Sequence, residues 1–136
     1  MKRIALSVAL STWILIWLWG IGQFQWTPGT RAIAFFLYFS VSVFILDRGY
    51  RWIRPSTDWS VRSGLSMIML LSFVGISAGH YMLSRWLEIE LQLIPSIERY
   101  PLKQEMPVIW SAVVGVLHAL IIGIMGMTVL IWRKPE

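Results

Sequence analysis

The chain has 136 residues, 57% of them hydrophobic and only 14% charged, with nine tryptophans, no cysteine and a net charge of +5. A soluble domain needs roughly 25% charged residues to cover its surface, so the composition excludes an ordinary soluble fold. It predicts a membrane protein whose length suits a single bundle of spans. With no cysteine there is no disulfide framework, thiolate metal site or thiol redox chemistry.

Lys2 and Arg3 precede a first apolar run from Ile4 to about Ile21. A basic start before an apolar core is also the pattern of a signal peptide, and Gly20-Ile21-Gly22 resembles a weak cleavage site. The run is longer than a signal core and holds Trp13, Trp17 and Trp19, so it is read as a retained span. Gln23 to Thr30 is a short polar turn, and Pro28 suits the first position of the next helix. The second run, Ala32 to Leu46, would cover about 22 Å as helix, less than the roughly 30 Å hydrocarbon core. It spans if the helix begins at Pro28 and Arg31 snorkels outward. Asp47 to Arg62 reads as a basic loop broken by Pro55, with Ser56, Thr57, Asp58 and Ser60 as caps for a third helix.

The third run, Ser63 to Ser84, is uncharged and long enough to span. It contains Ser72 and a Gly75-x-x-x-Gly79 pair, a pattern that brings helices close together in lipid. Beyond it, Leu87, Ile89, Leu91 and Leu93 alternate with Glu88, Glu90 and Gln92, which is strand periodicity. A lone strand at a membrane surface would leave its backbone groups unpaired. The third helix is therefore expected to continue toward Pro95, with an apolar row that needs covering.

The last run, Pro107 to Trp132, has no charged residue and carries small residues at four-residue spacing: Ser111, Gly115, Ala119 and Gly123. Because water gives lipid-embedded helices no reason to associate, close approach over such a ladder is a main source of packing. This run is expected to be the helix on which the others pack. The sequence thus predicts an all-α integral membrane protein of four spans in one bundle, at about 4–22, 29–48, 62–86 and 107–132, with a longer outer loop between the third and fourth.

Basic residues give the orientation. With the amino terminus cytoplasmic, that side holds eight basic residues against three acidic, and the other side four against four. Both termini are expected in the cytoplasm, and the excess charge is explained by topology and anionic lipid, with no call for nucleic acid. Trp19, Trp26, Trp86 and Trp110 would form an outer aromatic belt, and Trp52, Trp59 and Trp132 an inner one.

Dinucleotide, P-loop and zinc-protease motifs are absent. Chemistry is left to two histidines, since ionisable residues in a span are costly and suggest function. His80 closes the third run and His118 lies beside the ladder. As a pair they are the candidate ligands of haem b, but His118 lies about 16 Å along its run and His80 only about 6 Å from its end. The simpler expectation for His118 is a neutral imidazole bonded across the helix interface, to Ser72 or Ser77. Taken together, these features suggest a non-catalytic accessory or assembly subunit of a larger membrane complex, packed through small-residue faces of the third and fourth helices. Its expected partners are the lipid bilayer and other membrane subunits or itself, in the cell membrane of a bacterium or archaeon. Two alternatives from other classes are a haem- or quinone-binding electron-transfer anchor and a lone effector, such as a holin-like pore or a toxin-immunity protein.

Overall fold

The structure is a computed structural model that describes residues 1–23, 26–53, 61–86 and 106–132. Four helices account for nearly all of them: α1 (Lys2–Gln23), α2 (Pro28–Ile53), α3 (Val61–Trp86) and α4 (Pro107–Trp132). There is no strand among the described residues. All four are long and apolar enough to cross a membrane. The stretch 87–94, read as helix or strand, lies outside the described residues, as do the candidate caps at 56–60.

Local chemistry explains where α2 begins. Thr27 accepts the Thr30 amide through its Oγ1 at 3.3 Å, and its carbonyl takes the Arg31 amide at 2.9 Å. Thr27 is thus the N-cap, and Pro28 fills the first helical position, where a missing N–H costs nothing. The other end of α2 departs from expectation. The helix runs on through the stretch read as the start of a basic loop, because Arg51 reaches back one turn to Asp47 at 3.0 Å and because Gly49 and Tyr50 are buried. The Arg48 guanidinium lies 5.4 Å from the Phe44 ring centroid. The full 26 residues of α2 cover about 39 Å, which removes the apparent shortness of this span.

Contacts between helices set the arrangement. α1 and α2 run antiparallel, with Lys2 beside Trp52, Leu6 beside Gly49 and Trp13 beside Ser42. α1 and α3 run parallel, with Ser7 beside Ile68, Ser11 beside Gly75 and Leu15 beside Gly79. α4 runs antiparallel to α3, from the His80–Ser111 pair to the contact of Leu65 with Gly126. The bundle is therefore up-down-up-down, a ring in the order α1, α3, α4, α2, closed by Tyr50 against Gly126. One end carries Met1, Ile53 and Trp132, and the other carries Pro28, Trp86 and Pro107.

α1 and α2 each turn a stripe at four-residue spacing inward. On α1 it is Leu6, Leu10, Ile14 and Leu18; on α2 it is Ala34, Tyr38, Ser42 and Leu46. Four-residue spacing keeps these side chains stacked on one face. The expectation that the last helix is the one the others pack on holds only in part. α4 packs on α3 and α2, whereas α1 packs on α3, so α3 has the most extensive interfaces. Trp110, expected in the outer belt, is only 8% exposed, because it shares the α4 face that carries Ser111 and Val114 toward α3. Trp19, Trp52, Trp86 and Trp132 are exposed near the helix ends.

The glycines differ in how much they are needed. A Cβ on Gly115 would meet the Ser77 hydroxyl and would stand 3.0 Å from the Phe73 carbonyl oxygen, a backbone atom that cannot swing aside. A Cβ on Gly20 would meet nothing within 4 Å. Gly115→Ala is expected to destabilise the bundle by about 1–3 kcal/mol through overpacking, whereas Gly20→Ala should be neutral or stabilising by up to about 1 kcal/mol. Reversible unfolding of the detergent-solubilised protein, followed by helix content, measures both.

Candidate functional site

The polar interior is built from residues that the four-residue stripes carry inward. His80 and Ser111 are both buried, and the imidazole Nδ1 lies 2.8 Å from the Ser111 hydroxyl. This is a direct hydrogen bond between α3 and α4 near the Pro28 end. Ser111 was expected to serve as a small residue for close packing, and it also provides that link. The rest of the ladder is buried as expected. Gly115 faces Phe73 and Ser77, Ala119 is 8% exposed, and Gly123 faces the Met69 thioether, whose sulfur would lie 2.7 Å from an added Cβ.

The α3 pair points elsewhere. A Cβ on Gly75 would stand 3.3 Å from the Ser11 Cβ, and one on Gly79 would stand 2.5 Å from a Leu15 methyl. Both glycines therefore receive α1. The small-residue faces of α3 and α4 lie inside this chain's own bundle. Two further close approaches were missed by the sequence reading. Gly49 receives Leu6, and Gly126 receives Leu65 and the Tyr50 hydroxyl. Gly49 sits in a charged-looking stretch and Gly126 is three residues beyond Gly123, off the ladder's spacing, so neither stood out.

His118 is 5% exposed and bonds within its own helix, its Nδ1 lying 2.8 Å from the Val114 carbonyl oxygen. A carbonyl only accepts, so Nδ1 carries the proton and donates it. The expected bond across to Ser72 or Ser77 is not made: Nδ1 is taken by the carbonyl one turn back, and neither serine hydroxyl has a partner among the described residues. Nε2 has no hydrogen bond among the described residues. Seven residues separate His118 from Ser111, or about 10 Å along the axis. The two imidazoles thus stand at different levels along the bundle.

A second interhelical link was also missed. The Trp13 indole N–H donates to the Ser42 hydroxyl at 3.1 Å, and that hydroxyl donates to the Tyr38 carbonyl at 2.7 Å. The Tyr38 ring stacks on Trp17, with centroids 4.8 Å apart, and more loosely on Trp13. The signal in the sequence was Trp13/Trp17 and Tyr38/Ser42, two four-residue pairs on successive spans.

The register places Ser11, Ser42, Ser72 and His118 at one level near the middle of the bundle. Ser72 is fully buried, and its hydroxyl, like those of Ser11 and Ser77, has no partner among the described residues. Among the described residues no three histidines, aspartates or glutamates cluster as metal ligands. What this layer offers chemically is hydrogen bonding in a low-dielectric interior, where an unsatisfied polar group is costly. No protein-family profile matches the chain, and no curated protein or solved structure proves similar to it.

Ser111→Ala would leave the buried His80 Nδ1 without this partner. It is expected to destabilise by about 1–2 kcal/mol. Thr128→Val removes an exposed hydroxyl that bonds only the carbonyl of Ile124 on its own helix, and should change stability by less than about 0.5 kcal/mol. Paired unfolding measurements on the two variants provide the comparison.

Proposed function

We propose that the chain is an integral membrane protein of four spans with both termini in the cytoplasm, and that it works as a small accessory or assembly subunit of a larger membrane complex. Length supports the first part. Helices of 22 to 26 residues reach about 33 to 39 Å, enough for a roughly 30 Å hydrocarbon core with some tilt. The orientation draws on charge. Among the described residues, the Met1 end holds Lys2, Arg3, Arg48, Arg51 and Arg62 against Asp47, whereas the Pro28 end holds only Arg31 and Arg85. A basic excess marks the cytoplasmic side.

The observation that carries the subunit reading is the outer face of α2. This helix meets its neighbours along a single narrow stripe and is the least buried of the four. Its other face exposes Phe36 and Phe44, flanked by Ile33, Leu37 and Phe39, with Ser40 exposed among them. The outer face of α4, by contrast, is aliphatic: Val116, Leu120, Ile124 and Ile131. Aromatic side chains are the ones enriched where proteins meet. A helix of another subunit laid on α2 would give it a second packed face. The glycine-rich faces of α3 and α4 contribute to this role by holding the chain itself together.

A second reading has one observation in its favour. The unbonded Nε2 of His118, near mid-bundle, is the atom with which a haem- or quinone-binding anchor would act. Visible absorption of the purified protein tests that reading through the haem Soret band.

Native mass spectrometry of the tagged chain, gently extracted from its own host, tests the subunit reading. The expected mass is the chain plus other polypeptides. The triple variant Phe36→Leu/Phe39→Leu/Phe44→Leu should remain in the membrane and lose those partners by roughly tenfold or more, about 1.4 kcal/mol. The chain alone, or a small integer multiple of it, would overturn the subunit reading, and the multiple would favour a self-assembling effector.

A further inference from the structure

At the Met1 end a cavity of about 390 Å³ opens between α1, α2 and α3. That lies within the range of small-molecule sites, roughly 300–1,000 Å³. Its lining divides by chemistry. Lys2 and Arg3 stand at the end of the bundle, while Ile4, Ile53, Met67 and Leu71 supply apolar wall. Met67 and Leu71 are one turn apart on α3, so the wall runs from the cations toward the middle of the bundle. Ile4 and Met67 are 51% and 37% exposed, which opens the groove to the bundle's outer surface.

Lys2 is held by a backbone group of α2. The Lys2 ammonium donates to the Trp52 carbonyl at 3.2 Å and sits 5.7 Å from the Trp52 ring centroid. An ammonium has three N–H donors, so that bond uses one of three. Arg3 lies across the first turn of α3 at Gly64, its Nε 4.0 Å from where a Cβ would be. The surroundings are cationic as well. Among the described residues, this end holds five basic side chains and one carboxylate, Asp47, which pairs with Arg51 at 3.0 Å.

We propose that this groove binds an anionic phospholipid, its phosphate at Lys2 and Arg3 and one acyl chain along Ile4, Met67 and Leu71. The assignment rests on the membrane-spanning reading above, since it places this end of the bundle at the headgroup level. Two features select the ligand. The Lys2 ammonium, with one of its three donors on the Trp52 carbonyl, calls for an anion, and an apolar wall continuous with it calls for a hydrocarbon tail on that anion. Basic pockets between spans bind anionic headgroups in this way.

Native mass spectrometry of the purified full chain, titrated with phosphatidylglycerol, phosphatidylcholine of the same acyl chains, or glycerol phosphate, tests it. Phosphatidylglycerol should bind roughly tenfold more tightly than phosphatidylcholine, in keeping with two cations near the headgroup. Lys2→Gln/Arg3→Gln should reduce that preference to within about twofold with helix content unchanged. Met67→Trp, which fills the wall and leaves both cations, should weaken both lipids together. Equal binding of the two lipids by the wild-type chain, or an undiminished preference in the double variant, would overturn the proposal. Glycerol phosphate binding as tightly as phosphatidylglycerol would also overturn it, in favour of a soluble phosphate ligand. Alkaline carbonate extraction of host membranes separates the two levels of failure. A chain that washes off fails the membrane-spanning reading itself, and one that stays but does not discriminate between lipids fails only the groove.

Discussion

The bundle depends on how closely the backbone of α3 is approached from both sides. On one side α4 presents Gly115 to the Phe73 carbonyl, and on the other α1 presents Ser11 to Gly75. Neither approach leaves room for a side chain at the glycine. In lipid this matters more than in water, because apolar surface gains nothing by leaving one hydrocarbon environment for another. Dispersion contacts between closely packed atoms then have to supply the association. The same closeness brings polar groups within reach, so that the His80–Ser111 and Trp13–Ser42 bonds join helices that packing has already brought together.

This economy decides what is left for function. α3 packs on α1 and α4, and its glycines are committed to those two neighbours. α2 is held along one stripe, and it is the helix that turns an aromatic face outward. The proposed subunit role would draw on α2 for recognition and on α3 with α4 for the rigidity that presents it. The cationic groove at the Met1 end belongs to the same proposal, since a lipid anchored there would fix α1 against α2 and α3 at the end of the bundle.

Much of the architecture was legible because long uncharged apolar runs read directly as helices of spanning length. Four apolar runs became four helices, Pro28 took the first position of α2, and the small-residue ladder of α4 is buried as its spacing implied. Local electrostatics hid the extent of α2. The Asp47–Arg51 pair made a helical turn look like loop, so α2 seemed too short and Gly49 seemed to belong to a turn. For Trp110, position along the chain suggested an interface, but angular position on α4 decided its burial. His118 shows a further limit of reading sequence. Spacing put it inside the bundle, but only coordinates reveal that it bonds the carbonyl of Val114 and not a neighbouring helix. Which helix each glycine would meet was likewise not written in any single span, because it depends on the ring order of the four.

The central claim is that the small-residue faces pack within one chain, and the absence of native cysteine allows a direct test. Ser11→Cys and Gly75→Cys would place two Cβ atoms about as close as a disulfide requires, roughly 3.5–4.5 Å. With a protease site inserted between α2 and α3, the double variant is oxidised in native membranes, cleaved and run on a non-reducing gel. The account predicts two fragments that stay joined at the mass of one chain and separate on reduction. Fragments that separate without reduction, or that cross-link into species of twice the chain mass, would contradict it.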